Sequence, residues 1–96
     1  MMARRHGKRD AIHAHVRELL RGKGYLVWDL GDAGGGFPDL LVQDYVPGLE
    51  DEQGGLRLRL VEVKTGNEPL TPAQNRFIAE GWEVEIVRSV DDANRL

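Results

Sequence analysis

The fold is decided by a strand and a helix start that follow one another within residues 56–74, LRLRLVEVKTGNEPLTPAQ. Apolar residues alternate with charged residues over 56–64, which is the period of a β-strand with two different faces. The alternation changes phase between Leu60 and Val61. This change predicts either a bulge or a strand end that is buried on both faces.

The helix start is the strongest local signal in the chain. Thr71 and Gln74 have the spacing of a capping box, and Pro72 occupies the first helical position, where its missing amide hydrogen has no cost. Gly81 is typical of a residue that follows a helix. The predicted helix therefore runs over residues 72–80.

The remaining elements follow from similar patterns. A helix is predicted from an N-cap at Asp10 to Gly22, with apolar residues at helical spacing. Residues 43–55, rich in Gly and acids, predict a long exposed hairpin connection. Ser89 and Asp92 predict a second capping box and a last helical turn. Three further strands are predicted at residues 25–30, 37–42 and 82–87. The order αβββαβ, with a small C-terminal helix, predicts an α/β domain with a mixed sheet flanked by helices.

Composition limits the classes of protein that fit. The 96 residues suffice for one domain, and 41% hydrophobic residues are too many for a disordered chain. The absence of cysteine excludes disulfides and thiolate zinc sites. No apolar run is long enough to predict a transmembrane helix.

Positive charge is concentrated at the start of the chain. Residues 1–23 contain seven Lys or Arg against two acids, although the net charge of the whole chain is −3. We divide the sequence into a basic arm, residues 1–9, and a single domain, residues 10–96. Such an arm on an acidic body either follows a phosphate backbone or is simply a solvated terminus.

Two carboxylates are placed where strands end. Asp39 follows Pro38 after a glycine-rich loop, while Glu62 and Lys64 share one face of their strand. A carboxylate flanked by valines is costly to bury without a partner, and two neighbouring carboxylates attract a hard cation such as Mg²⁺. The lysine would then orient the attacking water or stabilise transition-state charge. The alternative is a plain Glu62–Lys64 ion pair on a solvated face.

Four segments together resemble a known nuclease family. They are 36–42 (GFPDLLV), 60–64 (LVEVK), 70–74 (LTPAQ) and 84–89 (VEIVRS), and their order and spacing are similar to the successive motifs of the VRR-NUC branch of the PD-(D/E)XK nucleases. The resemblance implies a restriction-endonuclease-like fold. It is greatest to short phage and bacterial members.

The resemblance also assigns roles to individual residues. It implies that Asp39, Glu62 and the backbone carbonyl of Val63 bind Mg²⁺ or Mn²⁺, and that Lys64 is catalytic. Gln74 on the following helix would belong to the same site.

One position departs from the family pattern. The family usually has a glutamate on its first helix, and alignment places His15 there. On a helical projection His15 falls within the apolar sector of residues 12–20, whereas Asp10 and Glu18 lie opposite. A neutral imidazole can bind Mn²⁺ but is a poor Mg²⁺ ligand, so His15 is either a metal ligand or a packed core histidine.

Several other residues receive simpler predictions. His6 and His13 are expected in solvent. Trp28 and Trp82 are expected in the core or at an interface rather than as platforms for bases. The glycines at 34–36 are expected to let a DNA backbone approach the second strand.

The function expected from this resemblance is metal-dependent endonucleolytic hydrolysis of DNA, selective for branched structures such as Holliday junctions. Symmetric incision needs two sites, which predicts a homodimer. The expected location is the cytoplasm of a bacterial or phage-infected cell. The alternative is a catalytically weak or inactive DNA-binding or assembly module, for which the missing first-helix acid is the best support.

Overall fold

The computed structural model describes residues 7–31, 33–46 and 55–96. The first six residues, His6 among them, and residues 47–54 of the predicted hairpin connection lie outside the described residues. The elements, in chain order, are α1 (Gly7–Gly22), β1 (Leu26–Asp29), β2 (Leu40–Tyr45), β3 (Leu56–Val63), α2 (Pro72–Ala79), β4 (Val84–Val87) and α3 (Val90–Asn94).

The strands form one mixed sheet, which confirms the predicted α/β architecture. Their order is β1-β2-β3-β4; β1 and β3 both pair with β2 in antiparallel fashion, and β4 pairs with β3 in parallel. The α2 crossover makes the parallel pairing possible, because two parallel strands cannot be joined by a tight turn.

The phase change in β3 has a simple structural cause. The β2–β3 register runs without interruption from Leu40 opposite Val61 to Tyr45 opposite Leu56, so no bulge occurs. Residues 61–64 are buried on both faces, which confirms the second alternative. One face of the sheet carries the main apolar core under α1 and α3, made of Val16, Leu20, Leu40, Val42, Val61, Val63, Val87 and Ala93.

The helix ends agree only in part with the sequence predictions. The capping box of α2 is present, with both reciprocal hydrogen bonds between Thr71 and Gln74. At α3, the Ser89 hydroxyl accepts the Asp92 amide, but the Asp92 carboxylate accepts the amide of Arg88 instead of completing a box. Helix α1 starts at Gly7, so the prediction of an N-cap at Asp10 is wrong.

Strand β2 begins and ends later than predicted, so the glycine-rich loop before it is longer. β2 begins at Leu40 rather than at Phe37 and continues through Tyr45, a residue predicted to lie in the hairpin connection. Phe37 therefore lies in the loop before the strand, with much of its side chain exposed. No helix in the described part of the chain is long and apolar enough to cross a membrane.

Candidate active site

The antiparallel register brings the two predicted carboxylates together. Because Leu40 pairs with Val61, one further step places Asp39 opposite Glu62, on the same face of the sheet. The two carboxyl groups lie within hydrogen-bonding reach of each other. Glu62 is buried and Asp39 nearly so. The sheet therefore builds a carboxylate pair from residues that are far apart in sequence.

Pro38, the residue before Asp39, determines whether the Val63 carbonyl of β3 can accept a hydrogen bond from β2. The Val63 amide donates to Oδ2 of Asp39 at 2.8 Å. The amide and carbonyl of a strand residue point the same way, so the Val63 carbonyl also points towards β2. The same register puts Pro38 opposite Val63, and proline has no amide hydrogen for that carbonyl to accept. A carbonyl oxygen beside the carboxylates is thus left without a ladder donor from the facing residue.

Lys64 is the most deeply buried charged side chain of the site. Its side chain is 1% exposed, and Nζ lies 3.8 Å from Oε2 of Glu62 and 3.8 Å from Oε2 of Glu68. Nζ has no hydrogen-bond partner within the described ranges. Burying an ammonium without hydrogen bonds lowers the stability of the fold. Such an arrangement is typical of a group whose hydrogen-bond partner is a ligand or substrate rather than part of the chain. Glu68 was not predicted; its only sequence signal is its place four residues after Lys64.

Gln74 couples the helix start to the carboxylate pair. Its Oε1 accepts the Thr71 amide within the capping box, while its Nε2 donates to Oε2 of Glu62 at 2.9 Å. The capping box thus fixes the side chain that orients the glutamate. The structure brings together Asp39, Glu62, Val63, Lys64 and Gln74, the residues to which the resemblance assigned roles; the roles themselves stay predictions.

The glycine-rich loop packs directly on α2. Gly36 has φ +83, and a Cβ atom there would lie 2.5 Å from the carbonyl oxygen of Ala73. Only glycine allows this approach. The expectation that Gly36 makes room for a DNA backbone is therefore wrong. Among the described residues, no atom lies within 4 Å of a Cβ added at Gly34 or Gly35, and for these two glycines the approach of a DNA backbone stays a prediction.

The prediction for the first helix selects the wrong histidine. His15 is exposed, so it is neither a core residue nor part of the carboxylate cluster. His13, expected in solvent, is partly buried instead, with Nε2 3.7 Å from Oδ1 of Asp39. The expectation that His15 falls within the apolar sector is also wrong, because at 100° per residue His13 and His15 lie just outside the apolar stripe of α1 on opposite sides. Helix α1 turns the His13 side towards Asp39 at the start of β2.

Charge and burial set the ionisation of this pair. The interaction with Asp39 raises the pKa of His13, although burial and the Arg17 guanidinium oppose the rise. Burial acts to raise the pKa of Asp39, but the contact with His13 and the hydrogen bond from the Val63 amide outweigh it, so that the pKa lies below its usual value. Asp39 is therefore held as a carboxylate, with a partner at each oxygen.

Comparisons with known proteins identify the family of this chain. The model of the VRR-NUC domain matches residues 4–91. The chain belongs to the VRR-NUC domain family. A solved structure described as a VRR_NUC domain is 30% identical, covers 93% of this chain and 92% of its own, and superposes with a TM-score of 0.63. A comparison with curated proteins gives no match.

The oxygen donors of this VRR-NUC domain suit a hard divalent cation. No group of three or more His, Cys, Asp or Glu side chains in the described ranges is arranged to hold a metal. The chain instead offers two adjacent carboxylates and one carbonyl. Mg²⁺ commonly binds through one or two carboxylates and keeps its remaining positions for water or phosphate. The residues present therefore fit such an ion.

Proposed function

We propose that this VRR-NUC domain is a metal-dependent DNA endonuclease that hydrolyses phosphodiester bonds. The observation that carries the proposal is the carboxylate pair of Asp39 and Glu62 beside the buried Lys64 ammonium. Membership of a nuclease family supports the reaction class. The alternative, a DNA-binding or assembly module without activity, does not explain an ammonium kept buried without hydrogen bonds.

Asp39, Glu62 and the Val63 carbonyl would hold Mg²⁺ or Mn²⁺. When bound, such an ion lowers the pKa of a coordinated water and neutralises a phosphodiester oxygen. Carboxylate and carbonyl oxygens suit both ions. His13 contacts Asp39, but within the described ranges it does not complete a group of three side chains that could hold a metal, so the proposed ligands are all oxygens.

The other residues prepare the site before substrate arrives. Lys64 points an ammonium with unused donors at the region beside Glu62, where it can bind a phosphate oxygen as negative charge grows. Fixed donors of this kind are worth on the order of 10²–10³ in rate. Gln74 fixes one oxygen of Glu62, and the Val63 amide with His13 fixes the two oxygens of Asp39. These are positioning roles.

The substrate and assembly are part of the same proposal. The basic arm, residues 1–9, would contact DNA phosphates. Helix α1, which begins within this arm at Gly7, places His13 3.7 Å from Asp39. One site cuts one strand, so paired incision of a branched DNA such as a Holliday junction requires two copies of the chain. A homodimer acting on branched DNA follows.

Titration with Mn²⁺ and Mg²⁺ on supercoiled plasmid and on a four-way junction tests the reaction. We expect nicking that needs either ion and stops with chelator. Lys64→Met should lose nearly all of the cleavage rate. Lys23→Met should keep it, because the Lys23 ammonium donates to the Asn94 carbonyl and lies over the Tyr25 ring. DNA binding without cleavage at any concentration of either ion would support the inactive module instead.

A further inference from the structure

Three aromatic side chains form a continuous row beside the active site. The Phe37 ring meets the Phe77 ring edge to face, with 5.4 Å between the centroids and 83° between the planes. Phe77 in turn stacks on the Trp82 indole, with centroids 5.5 Å apart and planes inclined by 17°. We call Phe37, Phe77 and Trp82 the aromatic row. The loop before β2, helix α2 and the turn before β4 each supply one of its rings.

The aromatic row lies at the surface. Trp82 is 54% exposed and Phe37 43%, and Phe77 between them is partly buried. Trp28 is 70% exposed, so the expectation of a core position is wrong for both tryptophans. One face of the Trp82 indole lies on Phe77, which leaves the opposite face and the ring edge for a ligand. A stacked pair that ends in an open ring can be extended by another flat ring.

The aromatic row is continuous with the carboxylate pair. Phe37 comes two residues before Asp39 in the chain. Phe77 lies three residues after Gln74, and residues at this spacing are neighbours on a helix. Phe77, Gln74 and Glu62 line one depression between α2 and the sheet. A DNA strand whose phosphate is held at the carboxylate pair therefore passes the row with a neighbouring base.

We propose that the aromatic row binds an unpaired base of the DNA substrate. The inference rests on the proposed function and names the feature by which the site would choose branched over fully paired DNA. A base inside a duplex must leave its stack before it can reach a side chain, which costs free energy, whereas a base at a branch or flap is already unstacked. Aromatic side chains bind bases of any sequence, because every base has a π-face. For Trp82 the proposal replaces the expected protein interface by a platform for a base.

The charges around the row favour a base at its far end. Glu83 borders, with Trp82, an open depression of about 330 Å³ on the sheet, and its carboxylate would repel a phosphate there. An uncharged base is not repelled in this way. Positive charge lies nearer the active site, on the buried Lys64 and on Arg76, the exposed neighbour of Phe77 on α2. This distribution orients the strand with its phosphate at the site and its base on the row.

Binding of a single-stranded oligothymidylate to the full chain tests the row without cleavage when chelator is present. An oligonucleotide of about ten residues is long enough for a site of this kind. In Trp28→Phe, Trp82 is the single tryptophan, and we expect its emission to be quenched as the oligonucleotide saturates the protein. Trp82→Ala should raise the dissociation constant about 5–150-fold. The matched control is Trp28→Ala, which removes an exposed tryptophan from the opposite edge of the sheet and should keep the affinity.

Two substitutions at Phe37 separate base stacking from apolar packing. Phe37→Tyr keeps the ring and should bind the oligonucleotide as the wild type does. Phe37→Leu keeps an apolar side chain without a π-face and should bind it about fivefold or more weakly. The side chain is largely outside the core, so thermal melting should show that both variants fold. Equal affinities of the two variants would overturn the proposal, as would Trp82 emission that changes with protein concentration but not with oligonucleotide.

A comparison of two DNA duplexes keeps this test separate from that of the nuclease function. In chelator, the wild type should bind a duplex with a single-stranded flap more tightly than the same duplex fully paired, and Trp82→Ala should lose most of that preference. An unchanged preference in Trp82→Ala would overturn the proposal. A protein that discriminates in this way but cuts nothing with Mg²⁺ or Mn²⁺ contradicts the nuclease proposal and leaves the base site intact. A protein that nicks plasmid but binds oligonucleotide equally well without Trp82 contradicts the base site alone.

Discussion

Replacing Gly36 by alanine tests how the glycine-rich loop positions the active site. The new Cβ would lie 2.5 Å from the Ala73 carbonyl oxygen and 2.6 Å from its carbon. Ordinary contact starts near 3.4 Å. The loop and α2 must therefore separate by about 0.9 Å, since neither atom belongs to a flexible side chain.

Two terms add to the cost. Holding alanine at the positive φ of Gly36 costs roughly 1–2 kcal/mol, and overpacking against helix backbone costs a further 1–3 kcal/mol. For a domain of this size each kcal/mol lowers the melting temperature by about 4–8 °C. The two costs sum to about 2–5 kcal/mol, so we expect Gly36→Ala to melt roughly 8–40 °C below the wild type.

Gly35→Ala is the matched control. Gly35 also has positive φ, +63, but no atom of the described part of the chain lies within 4 Å of its added Cβ. It carries the backbone term alone, so its melting temperature should fall by about 5–15 °C. The difference between the two variants, followed by circular dichroism, isolates the contact with α2.

The same displacement should also lower the rate of cleavage. Gln74 follows Ala73 on α2 and donates to Glu62 at 2.9 Å. A shift of about 0.9 Å would take this distance beyond hydrogen-bonding range. We expect cleavage by Gly36→Ala, assayed well below its melting temperature, to fall about 10–100-fold. Equal melting and equal cleavage for the Gly36 and Gly35 variants would refute the reasoning.

Three further predictions concern separate parts of the site. Because the contact with Asp39 raises the pKa of His13, this contact stabilises the metal-free fold below about pH 6.5, and the stabilisation is lost as pH rises through the folded-state pKa. The difference in the free energy of urea unfolding between wild type and His13→Ala should therefore shrink from pH 6 to pH 9. A difference that stays constant with pH would contradict this prediction. Gln74→Met removes the donor to Glu62 and one of the two capping-box hydrogen bonds at similar side-chain volume, so melting should fall by only about 4–8 °C while cleavage falls about 10–100-fold; unchanged cleavage would remove the positioning role of Gln74. Deleting residues 3–6 should flatten the salt dependence of DNA binding by roughly one unit of log–log slope for each phosphate that the arm no longer neutralises, and an unchanged slope would make the arm a solvated terminus.

The capping box of α2 and the pairing of β2 with β3 could be predicted from the sequence. The capping box at Thr71 depends on backbone donors within four residues, and it forms as predicted. The antiparallel partners Asp39 and Glu62 needed only the strand assignment and the resemblance. The boundaries of β2 were harder, because Phe37 is apolar but belongs to a loop whose path is set by contact with α2.

The choice between His13 and His15 could not be made from periodicity. Both border the apolar stripe of α1, at about 100° per residue, and which border faces the site depends on how the helix crosses the sheet. That crossing is a tertiary property. The exposure of Leu58 was not predictable for a similar reason: Leu58 alternates with Arg57 and Arg59 as a buried residue would, yet Leu58 is largely exposed and the arginines bind Asp44 on the core face.

The rate of nicking of supercoiled plasmid in Mn²⁺ by Asp39→Asn and Glu62→Gln tests the central claim most directly. Each change keeps the side-chain volume but removes the negative charge of the carboxylate and one of its two oxygens. We therefore expect metal-dependent nicking to be abolished, while DNA binding and the melting temperature stay as in the wild type. Glu80→Gln, at an exposed carboxylate on the C-cap of α2, should nick at the wild-type rate. Wild-type nicking by either site variant would contradict the assignment of this carboxylate pair as the catalytic centre.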